Sequence, residues 1–109
     1  MSKYNKIKVI IVEPGKAPYA AEIYSELECL QKIVGGLIQA IYPYDDPVAI
    51  ICNDEGKLIG LPYNRPLFDE DGIIYDILVG TFIVVGLTED DFGSLTDELI
   101  EKYSKLFSI

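Results

Sequence analysis

Asn53, Asn64 and Arg65 stand in polar stretches between apolar runs, and Tyr42, Tyr44, Tyr63 and Tyr75 lie in the segments beside them. Asparagine amides read hydrogen-bond edges, a guanidinium meets phosphate or carboxylate with a planar fork of donors, and tyrosine faces stack on flat groups. Together Arg65, Asn64, Asn53, Tyr63, Tyr42 and Tyr75 form a candidate binding set for a nucleotide-like small molecule. Arg65 draws particular attention because it is the only arginine in a chain that otherwise uses lysine. Pro62 and Pro66 stiffen its surroundings, and Pro66 pushes Arg65 toward an extended conformation. Two roles are open to it: a fork for an anionic ligand, or a strut joining this loop to a nearby carbonyl or carboxylate. Asn53 has a parallel alternative as a turn residue, and any of the tyrosines as a packing residue on a half-buried sheet.

Catalytic chemistry finds little support. The chain has no histidine, which removes the commonest general base and zinc ligand. Serines 2, 25, 94, 104 and 108 lack a glycine-flanked nucleophile elbow. Cys29 and Cys52 are too few for a disulfide framework and are not spaced as metal ligands, so free thiols are expected. Asp69-Glu70-Asp71-Gly72 resembles part of a calcium loop, but Leu67 and Leu78 occupy the positions where an EF-hand needs its first and last acidic ligands. Gly35-Gly36 closes a helix instead of opening one, which excludes a phosphate loop there. No metal and no cofactor is expected, and the chain reads as a non-enzyme.

The elements that must hold these residues follow from periodicity and punctuation. Residues 6–13 (KIKVIIVE) are β-rich and end at Pro14-Gly15, and 19–24 make a hairpin with them. Ser25-Glu26-Leu27-Glu28 reads as a capping box before a short helix through Leu27, Leu30 and Val34 that ends at Gly35-Gly36. Residues 37–42 form a strand, and 48–52 and 57–61 a hairpin around Asn53-Asp54-Glu55-Gly56. An irregular excursion spans 62–72. The run 73–86 (IIYDILVGTFIVVG) is one bent strand or two, with Gly80 marking a bulge or a close backbone approach. Ser94-Leu95-Thr96-Asp97 is a second capping box. Beyond it Leu95, Leu99, Ile100, Tyr103, Leu106 and Phe107 share an apolar face that should lie on the sheet, with Leu99, Tyr103 and Leu106 buried. The expected fold is α+β: one domain over residues 1–109, a two-layer sandwich of a mainly antiparallel sheet with a short internal helix and an amphipathic C-terminal helix.

Composition narrows the partners. A net charge of −9 argues against nonspecific binding to nucleic-acid backbones. The charge is uneven, since Lys3, Lys6, Lys8 and Lys16 oppose Glu13 alone over the first 16 residues, and acids gather in Asp69-Glu70-Asp71 and Glu89-Asp90-Asp91. Such runs read as solvated loops and helix starts. No window has the length or apolarity of a membrane span, and the short run Val9 to Val12 is no secretion signal, so a cytoplasmic location is expected.

The run VEPGKAPYAAEI, then LQKIVGGLIQAIYPYDD, CNDEGKLIGLPYNRPL, YDILVGTFIVVGL and DFGSLTDELIEKY, resembles a family of small proteins of unknown function from bacteriophages and other mobile elements of Gram-positive bacteria. Pro14-Gly15, Val34-Gly35-Gly36, Asn53, Asn64-Arg65 and Gly80-Thr81-Phe82 carry the likeness. The resemblance implies a phage or mobile-element setting, assigns no chemistry, and marks Asn64-Arg65 as a signature consistent with recognition. The leading expectation is therefore a counter-defence protein that binds and sequesters a nucleotide-derived host immune signal. The alternatives are an acidic inhibitor of a host defence or regulatory protein, with nucleic-acid mimicry as one route, and an accessory factor of phage replication or plasmid transfer. Carboxylate-based enzymology comes last. A homo-oligomer is expected, with Gly80-Thr81-Phe82 as its symmetric contact.

Overall fold

The structure is a computed structural model and describes residues 6–109; Lys3, counted above among the N-terminal charges, lies outside them. In chain order the elements are β1 (Lys6–Val12), β2 (Tyr19–Tyr24), α1 (Leu27–Val34), β3 (Ile38–Ile41), β4 (Val48–Asn53), β5 (Tyr63–Phe68), β6 (Ile74–Val79), β7 (Phe82–Leu87), β8 (Phe92–Gly93) and α2 (Asp97–Leu106). Six strands make one sheet in the order β2-β1-β7-β4-β3, with β8 paired to β7, while β5 and β6 form a separate two-stranded ribbon. Every pairing is antiparallel.

Both faces of the large sheet are covered, which explains why its inner strands read as unbroken apolar runs instead of alternating ones. All six residues of β4 are buried. On one face Val9, Ile11, Ala49, Ile51, Ile83 and Val85 pack with Leu30 and Val34 of α1. On the other, Ile10, Val12, Ile50, Phe82 and Val84 pack with Tyr103 and Phe107 of the C-terminal segment and with Leu67 and Leu78 of the ribbon. The α+β class, the mainly antiparallel sheet and the C-terminal helix are as expected; α1 gives the second sheet face its own cover.

Three local expectations are corrected, and one left open is resolved. Residues 54–60 are turns, and 57–61 forms no strand: Ile59 N–H donates to the Glu55 carbonyl and Leu61 N–H to that of Gly56, closing a compact loop. The 62–72 excursion contains β5, whose Pro66 is tolerated because the ribbon has only two strands. Of the two forms open to the 73–86 run, the structure has two strands, in different sheets and separated at Gly80, where φ is +70° and an added Cβ would stand 2.6 Å from Leu61 Cδ1. Neither capping box forms. Glu26 caps α1 without a side-chain bond. Thr96 caps α2 by accepting the Leu99 N–H at 3.2 Å, while Ser94 accepts the Lys8 N–H at 2.9 Å.

In α2 Tyr103 is buried and Leu99 half-buried, but Leu106 is 51% exposed, because Phe107 takes the core position instead. Phe107 sets its ring edge-on to Phe82 at 5.1 Å. Phe82 is thus a core residue, and Gly80-Thr81-Phe82 cannot present it as a contact to another copy.

Candidate functional site

Asn64 and Arg65 are adjacent in β5 and both are buried, although a regular strand would aim them to opposite faces of the ribbon. The strand is not regular there: Tyr63 pairs with Val79 and Arg65 with Leu78, so Asn64 is the extra residue of a bulge. Asn64 Nδ2 donates to the carbonyls of Val12 at 2.9 Å and Gly80 at 2.7 Å. Its Oδ1 accepts from Arg65 at 2.6 Å. Arg65, 6% exposed, donates from Nε to the Phe107 carbonyl at 2.9 Å and from its other terminal nitrogen to the Lys16 carbonyl at 2.6 Å. Burial holds the guanidinium below its ordinary pKa, with nearby Tyr63 opposing the shift. The pair fastens the end of β1, the β1–β2 turn, the β6–β7 junction and the end of α2 to one point. Of the two roles open to Arg65, this geometry is that of the strut.

Asn53 is likewise engaged at both ends of its amide. Nδ2 donates to the Val34 carbonyl at 3.2 Å, at the C-terminus of α1, and Oδ1 accepts the Glu55 N–H at 2.8 Å in the following turn. It borders a hollow of about 150 Å³ shared with Cys52, Lys57 and Asp76, separate from the surroundings of Arg65. Burial, and then Asp54 and Asp76, push the Cys52 thiol up, toward its unreactive protonated form.

A cleft of about 620 Å³ opens between the ribbon, α2 and the segment 43–46. Tyr44, Phe68, Tyr75, Tyr103 and Leu106 supply its apolar surface, and Asp45, Asp46, Asp69 and Glu70 its acids. The cation in its lining is Lys102, whose Nζ is bound to Asp46 Oδ2 at 2.6 Å. Tyr103 donates its hydroxyl to the same oxygen at 2.7 Å. These bonds, that of Lys102 first, hold the Asp46 carboxyl below its ordinary range. Burial, reinforced by Asp46, pushes the Tyr103 phenol up. The Tyr44 ring stands 4.9 Å from that of Tyr103, and burial followed by nearby Tyr75 pushes its phenol up to about 12. Phe68, Tyr75 and Leu106 are exposed. A neighbouring hollow of about 240 Å³ shares Tyr44, Phe68 and Leu106 and reaches Arg65.

Of the residues singled out by sequence, Asn64 and Arg65 therefore come together, Tyr75 lines the acidic cleft, and Asn53 lies apart. Tyr42 and Tyr63 are exposed at the end of β3 and the start of β5 and line neither the cleft nor the hollow beside it. Sequence reasoning set Asp69-Glu70 aside as a turn and passed over Phe68 and Asp45-Asp46. A usable signal was present in the exposed-type aromatics Tyr44, Phe68 and Tyr75 flanking two acidic pairs. The contact of Asp46 with Lys102 and Tyr103, 56 and 57 residues away, left no local trace. Among the described residues no group of three carboxylate or thiol side chains could hold a metal ion, and no helix is long and apolar enough to cross a membrane.

Sheet, ribbon and helix define a small α+β domain with an acidic, aromatic cleft rimmed by a separate β-ribbon. The chain belongs to the family described as a domain of unknown function, DUF3846, whose model matches residues 7–108. Comparison with curated proteins yields no match, and comparison with solved structures yields none.

Proposed function

We propose that this protein is a non-enzymatic accessory protein that acts by stoichiometric binding, receiving a basic segment of a partner protein in the cleft between the ribbon and α2. One observation carries the reading. Asp45, Asp46, Asp69 and Glu70 line the same cleft as exposed Phe68, Tyr75 and Leu106, while the lysine in the lining is already paired with Asp46. An aromatic surface ringed by carboxylates attracts lysine and arginine side chains by charge and by cation–π contact, and it repels phosphate. The resemblance to phage and mobile-element proteins supports a setting in the cytoplasm of a bacterial host, where the partner is a defence or regulatory protein and occupancy inhibits it. The rival reading, capture of a nucleotide-derived signal, draws support from the stacking surface of Tyr75 and Phe68. It has the weaker case, because Arg65 spends three donors on its own chain.

Tyrosine fluorescence is a direct assay, since the chain has no tryptophan. A peptide alternating arginine and leucine should bind with salt-sensitive affinity, and the glutamate-leucine counterpart and nucleoside triphosphates should not. Asp45→Asn combined with Glu70→Gln should weaken the basic peptide about tenfold without altering the melting curve, as expected for loss of two charges from a binding surface. Tight nucleotide binding, or equal affinity for both peptides, would sink the reading.

A further inference from the structure

β2 is an edge of the six-stranded sheet, paired on one side to β1 through six consecutive positions without a register shift. Among the described residues nothing pairs with its outer side, which leaves a row of backbone donors and acceptors. Natural edge strands are usually blunted by lysine, proline, a bulge or a short length. The β2 sequence, YAAEIY, has no lysine, proline or bulge, and Glu22 is its single charge. The opposite edge, β3, has four residues, and β5 contains Pro66 and two register shifts.

We infer that β2 pairs with β2 of a second copy, antiparallel about a two-fold axis through Ala21, joining two six-stranded sheets into one. A two-fold perpendicular to the sheet keeps each face on its own side, so some residue must oppose its own copy. Placing Ala21 on the axis sets Ala20 opposite Glu22 of the other copy and Tyr19 opposite Ile23. Shifting the axis to Glu22 would oppose two carboxylates, which is unfavourable. The centre is small and uncharged, and exposed Tyr19, Tyr24 and Leu27 flank it.

Charge points to the same edge. Two chains of −9 repel over most of their surface, but residues 6–24 carry Lys6, Lys8 and Lys16 against Glu13 and Glu22, and Lys8 sits in register with Glu22. This is where two copies can meet without that penalty. Because β2 and β3 are opposite edges, and the 43–46 wall of the cleft follows β3, pairing leaves the cleft free.

Sedimentation equilibrium of the full chain should show the 12.2 kDa species doubling in mass at micromolar concentration. Hydrogen exchange in residues 19–24 should slow as concentration rises. Ala21→Cys should form a disulfide-linked dimer on mild oxidation, whereas the wild type, with Cys29 and Cys52 only, should not. Ala21→Lys, which puts two ammonium groups on the axis, should abolish association with its circular dichroism retained. If that variant loses its fold, the exchange and cross-linking results decide. A monomer at every concentration overturns the proposal, as does a dimer in which residues 19–24 stay unprotected and Ala21→Cys fails to cross-link.

Discussion

Replacing Arg65 with lysine separates the strut from the recognition fork in a single variant. The guanidinium serves three acceptors at once: the carbonyls of Phe107 and Lys16 and the amide oxygen of Asn64. An ammonium on a flexible stem can reach one of them. Two acceptors then lose their donor inside a site where Arg65 is 6% exposed and Asn64 5%. An unsatisfied buried polar group costs roughly 1–3 kcal/mol, and the Lys16 carbonyl is the one water reaches most readily, so the loss should be about 2–4 kcal/mol. That is a large share of the roughly 5–15 kcal/mol holding a domain of this size. In urea unfolding the midpoint should fall with little change in slope, and the melting temperature should drop by about 10 °C or more. Binding of a basic peptide by the folded fraction should persist. Unchanged stability with binding abolished would refute the argument and return Arg65 to ligand recognition.

Asn53→Ala should cost about 1–3 kcal/mol by unpairing the Val34 carbonyl and Glu55 N–H, with faster amide exchange around the end of α1 as its local signature. Gly80→Ala should destabilise by roughly 1–3 kcal/mol, because its φ of +70° disfavours a side chain and the new Cβ meets Leu61 Cδ1; an unaltered melting curve would show that the junction relaxes freely. Leu106→Ala should cost less than about 1 kcal/mol, in contrast to the roughly 3–5 kcal/mol expected for Tyr103→Ala, which empties a core position. Asp46 has a carboxyl pKa lowered by Lys102 and Tyr103, so its stabilising contribution is present above the ordinary value of 3.8 and is lost as pH falls through the depressed folded value. Asp46→Asn should therefore flatten the acid limb of the stability profile below pH 3.8, and a profile unchanged there would remove that ion pair from the account.

What was legible in the sequence follows the range of the interactions concerned. β1, β2, α1 and α2 are written locally, in β-branched runs, in Pro14-Gly15 and Gly35, and in the spacing of Leu30 with Val34 and Leu99 with Tyr103. β5 was hidden because Pro66 within it, Pro62 just before it and a bulge erase both its propensity and its alternation. Residues 57–61 read as a strand from composition alone, but Gly60, with φ at +73°, and the backbone bonds of the turn win there. Leu106 and Phe107 are neighbours on one helical stripe, and which of them enters the core depends on where Phe82 stands across the sheet. The importance of Arg65 was visible from its rarity and its prolines; its partners, 42 and 49 residues away, were not. The cleft is built from four separate chain segments, so no window of sequence contains it.

The place of β7 in the sheet carries a kinetic consequence. It lies between β1 and β4, each of which pairs on its other side with a near neighbour in sequence, β2 or β3. Until β7 arrives, the chain holds two hairpins with no shared partner, each with aliphatic side chains on both faces. Joining Ile10 to Val84 and Val84 to Ile50 closes loops of long sequence separation, and such closures set folding on the slow side of the millisecond-to-second range. The rate-limiting barrier should therefore be the insertion of this one strand. Conservative truncations at Val84 should slow refolding nearly in proportion to the stability they remove, while those in the β5–β6 ribbon accelerate unfolding instead. During that interval the two open hairpins are what a chaperone, or another unfolded copy, encounters.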